Sequence, residues 1–129
     1  MNKKILATGV FFGVIAIVLG AFAAHGLKKL VDADAIQSFE TGVRYQLYHA
    51  FLLLIIGSSS FLNIKAKKWV FYLIIVGVLC FSGSIYGLAT DALSSFNFKS
   101  IALITPLGGV LLISAWLVML IDILKSKVN

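Results

Sequence analysis

The chain has 129 residues, of which 60% are hydrophobic and 12% charged, and its formal net charge is +6. A soluble domain of this length has too much surface to carry such a composition, so a water-soluble globular protein is excluded. A single domain covering residues 1–129 is expected, because the chain is too short for two. The basic residues lie in short connectors between apolar runs, which favours orientation in a membrane and argues against nucleic acid as a partner.

The first apolar run covers residues 5–24. It has the roughly twenty residues that a helix needs to cross about 30 Å of hydrocarbon. Lys3 and Lys4 precede it, and residues 21–23 have the small-residue pattern of a signal cleavage site. The run is longer than the roughly 7 to 15 residues of a signal core, so it is predicted to be a membrane helix.

Three further apolar runs cover residues 45–62, 69–89 and 101–121, and none has Asp, Glu, Lys or Arg in its interior. Lipid offers the backbone no hydrogen-bond partners, so each run is predicted to be a helix. A further helix over residues 35–44, capped by Asp34, is expected at the interface and leads into the second span. The predicted fold is an all-α integral membrane four-helix bundle.

The distribution of basic residues predicts the orientation of this bundle. With four spans, both termini and the second connector share one side, which holds seven Lys and Arg residues against four on the other. Excess Lys and Arg stay in the cytoplasm, so both termini are predicted to be cytoplasmic. The expected location is therefore the cell (inner) membrane, as a multi-pass protein.

Glycine and proline positions indicate how the helices pack and bend. Gly9 and Gly13 in the first run, and Gly83 and Gly87 in the third, are each four residues apart. Small residues at this spacing let helix backbones approach closely in lipid, so these faces are predicted to pack. Pro106 lies inside the fourth run and is predicted to kink that helix.

Polar residues are predicted to converge from the helices near the outer interface, on the side opposite the termini. Ionisable side chains at membrane depth are costly unless they are paired or hydrated, so such a cluster is a functional-site candidate. Glu40 and Arg44 are four residues apart with the acid first, a favourable order for an ion pair on a helix. The candidate ligand-binding residues are His25, Glu40, Thr41, Arg44, Tyr45, Gln46, His49, Tyr86 and Asp91.

A structural interpretation of the same cluster stays open. Tyrosine, histidine and arginine are common at membrane interfaces because their polar tips reach water. Arg44, paired with Glu40 or Asp91, would then tie the first loop onto the bundle. The sequence alone does not choose between a binding role and this one.

Signals for metal, cofactor or catalytic chemistry are weak. His25 and His49 are the two histidines of the chain, and neither has a cysteine pair or an acid cluster nearby. There is no phosphate loop and no local signature of a serine or cysteine nucleophile. No metal and no cofactor is therefore predicted, and an enzyme is not the favoured class.

Four segments together resemble a known family. They are residues 20–27 (GAFAAHGL), 39–50 (FETGVRYQLYHA), 81–86 (FSGSIY) and 104–109 (ITPLGG). They are similar to motifs of the domain-of-unknown-function 423 family of small inner-membrane proteins, which is related to transmembrane protein 256 of animals. The likeness covers essentially the whole chain, with one departure at Ala23, where the family motif has glycine, and this affects local packing.

The resemblance implies a compact four-helix membrane protein and supplies no activity. It marks as family-pattern positions His25, Thr41, Gly42, Tyr45, Gln46, His49, Ser82, Tyr86 and Pro106. These positions overlap the polar cluster derived from the residues themselves.

Two functions remain from the sequence. In the first, the outer cluster binds or transports a small solute, an ion or a lipid, with Arg44 attracting an anion and His49 able to titrate. Transport would need a dimer or larger assembly, because four packed helices leave little room for a pathway. In the alternative, the chain is a structural or assembly partner of another membrane protein. The lipid bilayer is the expected partner in both, with a small ligand or lipid, a homo-oligomer or another membrane protein as further partners.

Overall fold

A computed structural model describes residues 1–93 and 101–126, and this part of the chain is helical with no strand. Four long helices follow one another: α1 Lys3–Ala24, α2 Ala33–Ser58, α3 Ile64–Ala89 and α4 Ile104–Lys125. Short 3-10 helices cover Leu27–Lys29 and Asp91–Leu93. The all-α prediction is confirmed, and the helices differ from the predicted spans mainly at their ends.

The start of α2 is set by a different acid from the one predicted. The Asp32 carboxylate accepts a hydrogen bond from the Ala35 backbone amide at 2.8 Å, so Asp32 and not Asp34 is the N-cap. Asp34 lies in the first turn, where a negative charge is favourable beside the unpaired amides. The helix then continues unbroken to Ser58, so the predicted interfacial helix and second span are one helix.

Hydrogen-bonding side chains fix the boundary between α2 and α3. The hydroxyl of Ser59 donates to the Ile55 carbonyl at 2.6 Å, where α2 ends, short of the predicted residue 62. Asn63 then caps α3 by accepting from the Ala66 amide at 2.8 Å. Serine and asparagine compete with the backbone in this way, so they end and begin helices inside an otherwise apolar stretch.

Pro106 lies at a different place in its helix from the one predicted. Because α4 begins at Ile104 and not at 101, Pro106 is in the first turn. The first amides of a helix have no intrahelical acceptor, so a proline there removes no helix hydrogen bond. The kink predicted for the fourth helix is not supported by a proline at this position.

Glycines in α1 and α2 bring these two antiparallel helices into close contact. A Cβ on Gly9 would lie 3.0 Å from the Ala50 carbonyl oxygen, and one on Gly57 would lie 3.0 Å from Leu6. Only a residue without a side chain allows backbones this close. The small-residue face predicted on α1 does pack against its neighbour.

A different set of glycines joins α3 to α4. Gly83 has no atom within 4 Å of its Cβ position, so the predicted α3 face is open at this point. The close approach lies instead at Gly77, which faces Leu112, and at Gly108. A Cβ on Gly108 would lie 2.3 Å from the Phe81 amide nitrogen, so here the two backbones touch.

The helices pack in chain order, α1 on α2, α2 on α3 and α3 on α4, and they enclose two apolar clusters. The larger cluster draws on all four helices and includes Phe12, Leu53 and Ile74. The smaller one lies toward the end of the bundle where α1 ends and α2 begins, and it is built around Leu27 and Phe39. Along α2, the segment between these clusters carries the polar residues described below.

The outer surface of the molecule is suited to lipid. Three helical segments of the described chain are long and apolar enough to cross a membrane: Lys3–Lys29, Ile64–Ala89 and Ile104–Lys125. Large apolar side chains on these segments are exposed, for example Ile17 and Val110. The second helix is not among the three, because its first half is polar.

Candidate functional site

Gln46 is the centre of a buried contact among three helices. Its side chain is 5% exposed, and its amide nitrogen donates to the Phe12 carbonyl of α1 at 2.8 Å. Its amide oxygen accepts a hydrogen bond from the Tyr86 hydroxyl of α3 at 2.7 Å. Both ends of the glutamine are therefore used, and the side chain fixes α2 between α1 and α3.

A second buried bond lies one turn away. The Ser82 hydroxyl donates to the Gly42 carbonyl at 2.7 Å, and the Tyr86 ring packs on the same glycine. A Cβ on Gly42 would lie 2.7 Å from the ring. The absence of a side chain at Gly42 thus lets α3 come close enough for Ser82 and Tyr86 to reach their acceptors on α2.

His49 connects α2 to α4. Its Nδ1 lies 2.7 Å from the Tyr45 carbonyl oxygen, and the indole Nε1 of Trp116 lies 3.1 Å from its Nε2. A carbonyl only accepts and an indole N–H only donates, so Nδ1 carries the proton and Nε2 is bare. The ring is a neutral imidazole with both nitrogens hydrogen-bonded.

His49, which is buried, and its partner Trp116, which is half exposed, lie toward the middle of their helices. His49 is nine residues before Ser58, and Trp116 is nine residues before Lys125. At 1.5 Å per residue, both lie about 14 Å from the C-terminal ends of their helices. The predicted outer cluster therefore divides into a buried part and a surface part.

The surface part is made of side chains on the outer half of the molecule. Arg44 is exposed and its guanidinium donates to the Thr41 hydroxyl at 3.1 Å. Among the described residues no ion pair joins it to Glu40, and the pairing with Asp91 stays a prediction. Arginine bonds locally here because its neighbour three residues before it offers an acceptor on the same helix face.

The remaining predicted residues are also separate from the buried residues Gln46 and His49. His25 is exposed at the C-terminal cap of α1, and Glu40 is half-buried. Asp91 begins the short 3-10 helix after α3. The nine candidate residues thus do not form one cluster, and Tyr45 is the member that lies beside both parts, since it precedes Gln46 and its carbonyl holds His49.

A groove runs between α2 and α4, which do not pack along each other. It has a volume of about 310 Å³ and is bordered by exposed apolar side chains such as Ile113. Phe81 of α3 lies between the two walls, and its ring is 5.1 Å from that of Tyr45. The residues that line this α2–α4 groove are Tyr45, His49, Phe81, Gly109, Leu112, Ile113 and Trp116.

The buried polar side chains of the described residues are satisfied by hydrogen bonds within the protein. Within residues 1–93 and 101–126, every buried side-chain nitrogen and oxygen has a hydrogen-bond partner. In the same segments no group of three His, Cys, Asp or Glu side chains lies close enough to hold a metal ion. The arrangement is thus suited to holding helices together and to lining an apolar groove.

Comparison with known proteins identifies the family. A family described as protein of unknown function (DUF423) matches residues 19–109. The chain belongs to this family. No solved structure matches the chain.

Relatives in the DUF423 family are named as membrane proteins. The chain is 35% identical to a UPF0382 membrane protein of Haemophilus influenzae over 98% of each chain. It is 37% identical to one of Staphylococcus saprophyticus, over 95% of this chain and 98% of that protein. It is 33% identical to the UPF0382 inner membrane protein YgdD of Escherichia coli, over 98% of this chain and 93% of that protein. These names support a membrane protein and carry no activity.

The structure gives several DUF423 motif positions a physical role. Gly42, Gln46, Ser82 and Tyr86 form one contact between α2 and α3, although their motifs are about forty residues apart. Trp116, the partner of His49, lies outside the matched residues 19–109. Sequence reasoning missed it because an interfacial-type residue in an apolar span carries no local sign of its partner.

Proposed function

We propose that the protein binds a lipid, or a lipid-soluble molecule of similar shape, in the α2–α4 groove. The observation that supports this most is the groove itself, about 310 Å³ lined mainly by apolar and aromatic side chains. Clefts of this size lined by aromatic side chains and a few polar groups are the usual form of a small-molecule site. The rigid hydrogen bond between His49 and Trp116 keeps its walls at a fixed separation.

The occupant is a neutral molecule with an acyl chain and a hydrogen-bond acceptor. Leu112, Ile113 and Phe81 offer only apolar contact to the acyl chain of the lipid. Within the described residues no protein atom accepts a hydrogen bond from the Tyr45 hydroxyl, and Tyr45 lines the groove one turn from His49. That hydroxyl can donate to the ester carbonyl of a phospholipid, whose level is near the membrane interface.

Passage of an ion or polar solute has less support. The buried polar side chains form hydrogen bonds with one another and with backbone carbonyls. Gln46, for example, bonds to the Phe12 carbonyl and to the Tyr86 hydroxyl. A transport pathway needs polar groups that are free to bind the solute. Among the described residues the interior offers none.

The proposal includes the topology of the chain in the inner membrane. Both termini lie in the cytoplasm, since Lys residues are concentrated at the end of the bundle where α1 and α3 begin. The second helix also crosses the membrane, because it packs along α1 from Gly20 to Ile5 and buries Gln46 and His49 inside. Burial of these two polar side chains in the bundle explains how a less apolar helix can span.

An assembly role is the second candidate, and the same groove supports it. A transmembrane helix of another protein can lie in a lipid-facing groove, and Gly109 would let it approach closely. The complete pairing of the buried polar groups fits a molecule whose purpose is to hold a shape. The two candidates differ in what is recovered from the groove.

A pair of glycine variants tests the proposal. Gly109→Leu adds a side chain to a residue that lines the groove, where a Cβ makes only ordinary van der Waals contact with Phe81, at 3.7 Å. Gly83→Leu adds the same bulk to an open face of α3 and is the matched control. The full chain is purified in detergent, mixed with phosphatidylcholine and examined by native mass spectrometry.

We expect the wild type and Gly83→Leu to retain one phosphatidylcholine and Gly109→Leu to lose it. Equal retention by all three proteins, or none by any, would overturn lipid binding in the groove. Recovery of a second protein from native membranes that depends on Gly109 and not on Gly83 would establish the assembly role instead.

A further inference from the structure

A basic pocket lies at the end of the bundle where α1 and α3 begin. It has a volume of about 560 Å³ and shares no lining residue with the α2–α4 groove. Its charged side chains are Lys4 of α1 and Lys67 and Lys68 of α3, and none of the residues that line it is acidic. The pocket thus holds three lysine charges without a compensating carboxylate.

Two aromatic residues position one of these charges. The Lys4 ammonium donates to the Tyr72 hydroxyl at 3.1 Å and lies 5.3 Å from the centre of that ring. It also lies 5.7 Å from the centre of the Phe71 ring. A lysine held in this way loses less side-chain freedom on binding a ligand than a lysine that moves freely at a surface.

The donors of the pocket are only partly used. The Lys67 ammonium donates to the Ser59 carbonyl at 2.6 Å, and an ammonium has three N–H groups. Lys4 and Lys67 therefore each keep two donors for a ligand. The Tyr72 hydroxyl accepts from Lys4, so its own proton is free to donate as well.

We propose that the basic pocket binds the phosphodiester headgroup of an anionic phospholipid. Phosphate oxygens accept hydrogen bonds from ammonium and hydroxyl donors, which are the groups that Lys4, Lys67 and Tyr72 present. Ile5 and Phe71 line the same pocket and supply apolar surface for the first carbons of the acyl chains. Basic pockets between transmembrane helices on the cytoplasmic side are suited to acidic headgroups.

A net negative lipid is favoured over a zwitterionic one. Phosphatidylcholine carries a positive trimethylammonium group beside its phosphate, and three lysines without a carboxylate would repel that group. Phosphatidylglycerol has the phosphate without a positive group. This inference does not depend on the groove proposal, because the two sites differ in location and in the charge of the lipid they take.

Two charge-matched double variants test the inference. Lys4→Gln with Lys68→Gln removes two charges from the basic pocket. Lys65→Gln with Lys125→Gln removes two charges from the same end of the molecule, at a separate cleft lined by Trp69 and Asp122. Affinity for phosphatidylglycerol is measured by native mass spectrometry on the full chain in detergent, with phosphatidylcholine and inorganic phosphate as competitors.

We expect the pocket variant to lose affinity for phosphatidylglycerol by about 30-fold, since each lysine near an anionic surface contributes about a factor of five. The control variant retains its affinity, and neither competitor displaces the lipid. Equal losses in both variants would reduce the effect to general surface charge and overturn the site. Displacement by inorganic phosphate at the same concentration would make free phosphate the ligand and overturn the lipid assignment.

The Tyr72→Phe variant gives a second measurement that does not change charge. It keeps the ring beside Lys4 and removes only the hydroxyl. We expect a several-fold loss of phosphatidylglycerol affinity with an unchanged melting temperature in lipid-free detergent. Unchanged affinity in this variant would contradict the part of the proposal that gives the tyrosine a donor role.

Discussion

The indole N–H of Trp116 donates to Nε2 of His49 at 3.1 Å, with the two rings nearly perpendicular at 82°. The bond joins two helices that do not pack along each other, and both residues line the α2–α4 groove. Since Nδ1 of the same ring donates to the Tyr45 carbonyl, the imidazole cannot rotate without losing both bonds. This pair therefore fixes the separation of the groove walls.

The first prediction concerns that bond. Trp116→Phe keeps an aromatic ring but removes the donor, so the free energy of unfolding in detergent should fall by about 0.6 to 1.7 kcal/mol. Trp69→Phe is the control, since that side chain is similarly exposed and its indole has no hydrogen-bond partner among the described residues. If Trp116→Phe costs as much in a His49→Leu background as in the wild type, the hydrogen bond contributes nothing.

The second prediction compares two adjacent glycines. Gly108→Ala places a Cβ 2.3 Å from the Phe81 nitrogen and 2.7 Å from the Cys80 carbonyl carbon, so α3 and α4 must separate. We expect a loss of about 2 to 3 kcal/mol in the free energy of unfolding, the upper part of the range for overpacking. Gly109→Ala meets Phe81 only at 3.7 Å and should be neutral or slightly stabilising.

Thermal unfolding of the two alanine variants checks this comparison. Similar melting temperatures for both would contradict the backbone contact at Gly108. A loss in Gly109→Ala alone would place the contact on the wrong face of α4.

The third prediction concerns the buried bond between Gln46 and Tyr86. Tyr86→Phe removes the hydroxyl and leaves the Gln46 oxygen without its donor, at a cost of about 1 kcal/mol. Gln46→Leu should cost more, because it also removes the bond to the Phe12 carbonyl. Tyr48→Phe removes a hydroxyl from an exposed ring and should have no effect.

A double-mutant cycle measures the coupling within this pair. The double variant should be less destabilised than the sum of the two single variants, with a difference of about 0.5 kcal/mol or more. Strict additivity would show that the two side chains do not interact.

The sequence predicted the presence of the helices better than the positions of their ends, because different interactions determine the two. The long apolar runs required helices, because a backbone in lipid must satisfy its own hydrogen bonds. The ends depend on single polar side chains, such as Asp32 in place of Asp34 and Asn63 before α3. Hydrophobicity alone carries no information about which of two nearby acids turns to cap the helix.

The candidate site was predictable only in part for a related reason. Gln46 and His49 were named from the sequence as polar residues of α2, yet their depth and partners depend on neighbouring helices. The Phe12 carbonyl and Trp116 have no sequence pattern that relates them to these residues. Conversely, Glu40 and Arg44 have the spacing of an ion pair, but the local acceptor at Thr41 takes the arginine.

The most direct test of lipid binding in the groove uses Trp116 as a probe inside it. The chain has two tryptophans, so Trp69→Phe leaves Trp116 as the sole tryptophan, whose fluorescence is excited selectively. Phosphatidylcholine with brominated acyl chains is titrated into detergent micelles at a mole fraction too low for chance contact. We expect quenching that saturates at one lipid per chain, that disappears in Gly109→Leu and that persists in Gly83→Leu. Weak, unsaturated quenching that is the same in all three proteins would contradict a lipid site between α2 and α4.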